Sequence, residues 1–295
     1  MTEPVEYAST GKPHPFHIVR PSPWPLAGAL AGGLLAVGAV AYMHEAQIAG
    51  MAVGLKGVVL GLASVLAVMF FWWRDVVRES IVERVHTPDT ERGLRMGMAL
   101  FIASEVMFFV AFFWAFFDSS VFVRETHQYL RHEYTGGMWP PARIEGVVEP
   151  FGLPFLMTLI LLLSGCTVTW AHHAVREGHT RDVVKALGLT AALGFVFLGF
   201  QVYEYTHALH HFGFKDGAYP STFFMATGFH GFHVFIGSVF LVVCWLRARK
   251  GHFTSRSHFG LEAAAWYWHF VDVVWLFLFV AIYCWGNGIG VSAAG

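Results

Sequence analysis

Charge is scarce in this sequence. Only 13% of its residues are Asp, Glu, Lys or Arg, against 56% hydrophobic and 17% aromatic, a balance foreign to an ordinary soluble domain. The net charge of −1 excludes a basic field for nucleic acid, so no nucleic-acid partner is expected, and it excludes an acidic tail as well. Cysteine is nearly absent. Cys166, Cys244 and Cys284 each stand alone in an apolar stretch, which argues against a disulfide framework or a CxxC metal site and leaves packing as their expected role. A nucleotide-binding loop, a CxxCH motif, a Ser-His-Asp arrangement, an internal repeat and a low-complexity tract are all missing.

Long hydrophobic runs take their place. A bilayer core about 30 Å thick requires roughly 20 apolar residues of helix. Seven stretches qualify, near 26–43, 51–73, 96–117, 154–170, 183–202, 222–245 and 263–285. The first has neither the basic flank nor the small-residue cleavage site of a signal peptide and is expected to be retained. Fourteen of the nineteen Lys and Arg fall in the N-terminal arm (1–25) and the second, fourth and sixth connections; four, including Arg124, Arg131 and Arg143, fall on the other side. This bias predicts a cytoplasmic N-terminus and an external C-terminus.

The stretch WWRDVVRESIVERVHTPDTERGLR, 72–95, separates a Gly- and Ala-rich pair of spans (26–73) from five aromatic-rich ones (96–286). The expected fold is an all-α membrane protein. Its two-helix unit and five-helix bundle are joined by a cytoplasmic loop, 74–95, with a groove between them and an external loop, 118–149. Gly28, Gly32, Gly33 and Gly38 are suited to close backbone approach, within the pair or against a neighbouring protein.

Ionisable residues inside the spans carry the chemistry. Glu105 is the only formal charge in FIASEVMFFVAFFWAFF, and a charged acid at that depth costs roughly 2.5 to 3.5 kcal/mol. A partner, a wet cavity or a proton is therefore required. Desolvation favours the neutral acid, with a proton-linked role and a register-fixing hydrogen bond as equal alternatives. In the last span Glu262, Trp266, His269 and Asp272 share one stripe, expected to face the bundle interior as a hydrogen-bond network in which His269 meets Asp272. His230 and His233 are three apart, but a two-His set lacks further ligands nearby, so core hydrogen bonding is expected rather than a metal site. His172, His173, His207, His210 and His211 lie near span ends, where they solvate or bond helix termini. At the cytoplasmic boundary Trp73, Arg74, Glu79, His86 and Arg247 have the residue types that hold phospholipid phosphate and glycerol, with generic interfacial anchoring as the alternative.

Several strings resemble one family closely: HPFHIV and PSPWP, WWRDVVRES, HTP followed by GLRMGMALFIASEVMFFVAFFWAFF, WPP, SGCTVTWAHH, STFFMATGFHGFHVFIGS and FGLEAAAWYWHFVDVVWLFLFVAIYCWG. They look like subunit III of the aa3-type cytochrome c oxidases, over nearly the whole chain. The resemblance implies a non-redox subunit of a proton-pumping oxidase, with haem a and copper carried by partner subunits I and II and with cytochrome c as electron donor to the complex. It implies the two-plus-five fold with phospholipids in a V-shaped groove, contacted by positions matching Trp73, Glu79, His86 and Arg247, and a buried acid at Glu105. The family role is to stabilise subunit I, sustain proton uptake at the mouth of its D channel, slow turnover-linked inactivation and offer oxygen a lipid-lined approach. A bacterial inner membrane is the expected location. Two departures are local: Asp118 stands where many relatives have His, and PFLMT replaces PLLNT, which removes an amide at Met157.

A rival reading is an autonomous proton or ion transporter using Glu105 and the last-span stripe. Against it, neither paired discontinuous helices nor a repeat is visible. Subunit III of a quinol oxidase is a second rival; those usually lack the first helix pair, so seven spans favour the cytochrome c type.

Overall fold

The computed structural model describes residues 21–48, 51–52, 54–83, 86–122, 133, 135–139, 141 and 148–287. HPFHIV, Lys12, Arg20, Arg84, Arg124, Arg131, Arg143 and most of the expected external loop lie outside these. Among the described residues, seven helices are long and apolar enough to span a bilayer. They are α1 (Trp24–Met43), α2 (Gly54–Arg78), α3 (Pro88–Val121), α4 (Leu153–Arg176), α5 (Thr180–His211), α6 (Ala218–Arg249) and α7 (Phe259–Leu278). α2 runs on as a π-helical turn, Glu79–Glu83, and α7 as another, Phe279–Trp285. Besides helix, the described residues contain a two-residue antiparallel ladder, β1 (Gln47–Ile48) with β2 (Met51–Ala52), within the first short connection.

Much of the stretch read as a polar loop, 74–95, is helical. α2 reaches Arg78 and its π turn Glu83, and α3 begins at Pro88. The physical reason is length: a 34-residue helix is about 51 Å long, so α3 must project beyond a hydrocarbon core of about 30 Å, and its polar first turns suit water.

Two compact units divide the chain, 1–94 and 95–295. In the first, α1 and α2 approach through glycine. A Cβ at Gly57 would sit 3.0 Å from the Gly38 Cα, so the backbones touch where a side chain would hold them apart. Gly32 and Gly33 meet nothing within 4 Å, so of the four α1 glycines only Gly38 serves this backbone contact. Trp24 locks the same pair, donating from Nε1 to Asp75 Oδ2 at 2.9 Å and stacking on Phe71.

The second unit has a core of large buried side chains from α3 to α7, including Phe109, Phe116, Met157, Phe197, Trp268 and Trp275. Hydrocarbon outside the bundle is as apolar as the core, so packing and hydrogen bonds hold these helices together. Trp268 Nε1 donates to Ser164 Oγ at 2.8 Å, Trp275 Nε1 to Thr158 Oγ1 at 2.9 Å, and the hydroxyls of Thr167 and Thr190 meet at 2.8 Å. Met157 fills fully buried space. α4 and α6 end alike. Gly178 and Gly251, at φ +80° and +70°, let the chain turn back so that His179 N–H reaches Ala174 O and His252 N–H reaches Arg247 O.

Candidate functional site: buried acids and their partners

Glu105 projects from α3 to His233 on α6, with Oε2 2.9 Å from Nε2. The carboxyl side chain is 23% exposed and the imidazole is nearly buried among Phe109, Tyr267 and Phe270. His233 Nδ1 lies 2.7 Å from the Phe229 carbonyl, which only accepts, so Nδ1 carries a hydrogen. Nε2 is then bare in the neutral ring. A bond to Glu105 requires either a protonated acid donating to Nε2 or an imidazolium donating to a carboxylate. Each arrangement places one proton between the two groups, and the acid is bound to a facing helix.

The last-span stripe divides. Glu262, half-buried, accepts from Arg95 Nε of α3 at 3.1 and 3.3 Å. Asp272 is buried, with Oδ2 3.5 Å from His269 Nδ1 and pointed at Gly165 of α4, where a Cβ would stand 2.5 Å from that oxygen. His269 is not interior as expected: its side chain is 46% exposed on the surface of this unit and reaches Thr169 Oγ1 at 3.1 Å. Three residues rotate a helix position about 60°, enough to carry one member of the stripe from interior to rim.

His230 and His233 do not converge. His230 Nε2 donates to Val271 O at 3.1 Å, while His233 serves Glu105. Among the described residues no group of three or more His, Cys, Asp or Glu could hold a metal ion. Cys166, Cys244 and Cys284 are free thiols. His207 Nδ1 donates to the Tyr203 carbonyl one turn earlier in its own helix.

Of the boundary residues, Trp73 is exposed, Arg74 lies 3.5 Å from Asp75 and over the Phe71 ring, Glu79 opens the π turn, and His86 sits half-buried between α2 and α3. Arg247 lies in the last turn of α6 with its guanidinium 4.6 Å over Phe253 and against Gly260, where a Cβ would meet Nη1 at 2.6 Å. Its Nε has no hydrogen-bond partner, and no carboxylate pairs with it, among the described residues. Phe253 also walls a cavity of about 270 Å³ lined by Gly178, Thr180, Thr254 and Ser255.

Glu204 escaped sequence reasoning. It is 3% exposed in α5 and its Oε2 accepts from Tyr283 OH at 2.6 Å and from Gln201 Nε2 at 3.0 Å. The detectable signal was QVYEY, two polar residues three apart inside an apolar run.

The fold and these pairings define a polytopic, all-helical membrane protein whose buried acids are each matched to an imidazole, a guanidinium or a hydroxyl. Comparison with known proteins narrows the class. The family profile described as cytochrome c oxidase subunit III matches residues 14–287. The chain is 54% identical to cytochrome c oxidase subunit 3 of Marchantia polymorpha over 95% of this chain and 99% of that one. It is 54% identical to that of Arabidopsis thaliana over 93% and 97%, and 51% identical to that of Dugong dugon over 94% and 100%. The chain belongs to the cytochrome c oxidase subunit III family.

Proposed function

We propose that this chain, an accessory subunit of the proton-pumping cytochrome c oxidase, contributes scaffold, phospholipid and proton placement, while haem a and copper reside in partner subunits I and II and cytochrome c supplies the electrons. Membership of the family over residues 14–287 carries the reading. The proton-linked part is supported by the Glu105–His233 pair, in which the Phe229 carbonyl engages Nδ1 and Nε2 faces the acid. The lipid-binding part is supported by Arg247, a boundary guanidinium with no carboxylate partner among the described residues, the arrangement that suits a phosphate oxygen. Trp73, Arg74, Glu79 and His86 are assigned to the same lipid role. Glu262, His269, Asp272, His230 and His233 are assigned to a polar network that holds the five-helix bundle. The Lys and Arg bias favours an N-terminus on the inner side of the membrane.

Two substitutions in the whole oxidase complex test this. Arg247→Ala should lower the phospholipid retained per complex, counted by native mass spectrometry; unchanged lipid refutes the assignment of Arg247. Glu105→Gln, assayed for oxygen consumption over many turnovers, should slow proton uptake and hasten inactivation. Normal uptake with normal inactivation would reduce that acid to a structural hydrogen bond.

A further inference from the structure

Glu204, Gln201 and Tyr283 form a cluster that none of the roles above uses. Gln201 and Glu204 lie three apart on α5, which places them on one face, and Tyr283 comes from the π-helical turn after α7. All three are buried, Gln201 to 4% and Tyr283 to 1% exposure. Both donors in reach, Gln201 Nε2 and Tyr283 OH, converge on Oε2 of the acid. Glu204 Oε1 and Gln201 Oε1 have no hydrogen-bond partner among the described residues. The titratable groups nearest the acid are the phenols of Tyr205 and Tyr283, beside and facing it, and of Tyr219 on α6; no Lys, Arg or His pairs with it among the described residues. Tyr205 is itself engaged with Thr227 Oγ1 of α6 at 2.7 Å.

One buried acceptor oxygen on each side chain is therefore left without a donor among the described residues. A carboxylate here would spread half its charge onto Oε1, where no donor answers it, and an isolated buried charge of that kind is too costly to persist. The 2.6 Å bond from Tyr283 fits both a neutral and an ionised acceptor, so Oε1 decides between them. Turning the Gln201 amide over does not help the ion: its oxygen would then face Oε2, and only a protonated acid could satisfy that contact.

We propose that Glu204, Gln201 and Tyr283 build a buried site for one proton and one water molecule, with the acid neutral at neutral pH. The proton sits on Glu204 Oε1 and is donated to the water, which in turn donates to Gln201 Oε1. This makes a proton-holding acid assembled without an imidazole and independent of the role assigned to Glu105.

Difference infrared spectroscopy of the whole oxidase in H2O and D2O tests it. Glu204→Gln should remove one protonated-carboxyl C=O band that shifts on deuteration, with the chain still present in the complex, since an amide can accept from Tyr283 and donate to the water. Tyr283→Phe, which keeps the acid but deletes a donor to Oε2, should move the same band to higher frequency. Glu105→Gln should leave it in place, which separates this site from the other acid. Loss of carboxylate bands instead, or retention of every protonated-carboxyl band in Glu204→Gln, overturns the proposal. An O–H stretch of an internal water that shifts in H2(18)O and vanishes in Gln201→Leu supports the water; its presence in that variant removes the water from the site.

Discussion

The bond between Glu105 and His233 can be measured directly, by a double-mutant cycle in the assembled oxidase. Glu105→Leu leaves His233 Nε2 without a donor in nearly buried surroundings, and stranding a buried acceptor costs about 1 to 3 kcal/mol. His233→Leu strands the acid and also removes the hydrogen bond to Phe229 O, so its cost should be the larger. The double variant strands neither group. Hydrogen bonds between membrane helices couple by roughly 0.6 kcal/mol on average and about 1.7 at most, so a coupling in that range is expected. Glu105→Gln should lose far less than Glu105→Leu, because the amide N–H can donate to Nε2 without changing the ring tautomer. The assay is heat- or denaturant-induced release of this chain from the purified complex. Costs that add to within about 0.3 to 0.5 kcal/mol would refute the bond and the proton count built on it.

Two further outcomes follow from local geometry. Gly194→Ala would set a methyl group 2.5 Å from Ser238 Oγ and 2.6 Å from the Trp268 ring, which itself holds Ser164, so overpacking of about 1 to 3 kcal/mol is expected, whereas Gly199→Ala on the same helix meets nothing and should be neutral or slightly stabilising by the same release assay. His252, in the connection after α6, has its imidazole pushed below the ordinary value of 6.5 by burial, then by the cations of Arg247 and Lys250. A depressed imidazole favours the neutral ring in the fold, so its contribution to stability is present above the ordinary value and lost as pH falls through the lowered one. Lys250→Glu should raise its titration, read by deuterium exchange at the histidine C2 carbon; an unmoved titration refutes the electrostatic part.

The seven spans were legible because apolar runs and bilayer thickness leave few alternatives, and Glu105 was legible because a lone charge in such a run demands a partner. The partner itself was not. His233 lies 128 residues away, and nothing local says that α6 rather than another helix faces α3. The polar stripe of α7 shows a different limit. Spacing put Glu262, His269 and Asp272 on one side of a cylinder, but a side is wide: Asp272 tucks against Gly165 and His269 looks outward. Helix ends near 74–95 are not legible from polarity, because a helix satisfies its own backbone and can carry polar side chains into water. Glu204 was not legible, because the pair it forms with Gln201 lies at a span end crowded with aromatics and histidines, where a polar residue is as readily solvated as buried.

The acid–imidazole pairs share a logic that neither residue shows alone. In one, a helix carbonyl at Phe229 holds the far nitrogen of His233 as a donor and leaves the near nitrogen bare toward Glu105. In the other, Thr169 gives its own hydrogen to Gly165 O, so its oxygen accepts from His269 Nε2 and leaves Nδ1 bare toward Asp272. Backbone carbonyls thus set both tautomers, the second through a hydroxyl, and at the 2.9 Å separation of Glu105–His233 the setting calls for one proton between ring and acid. The shorter separation, 2.9 Å against 3.5 Å, and the deeper burial of its ring make Glu105–His233 the tighter hold. The looser pair belongs to the imidazole that is half-exposed on its unit's surface. Of the two, Glu105–His233 is the one whose proton should resist exchange with solvent longer.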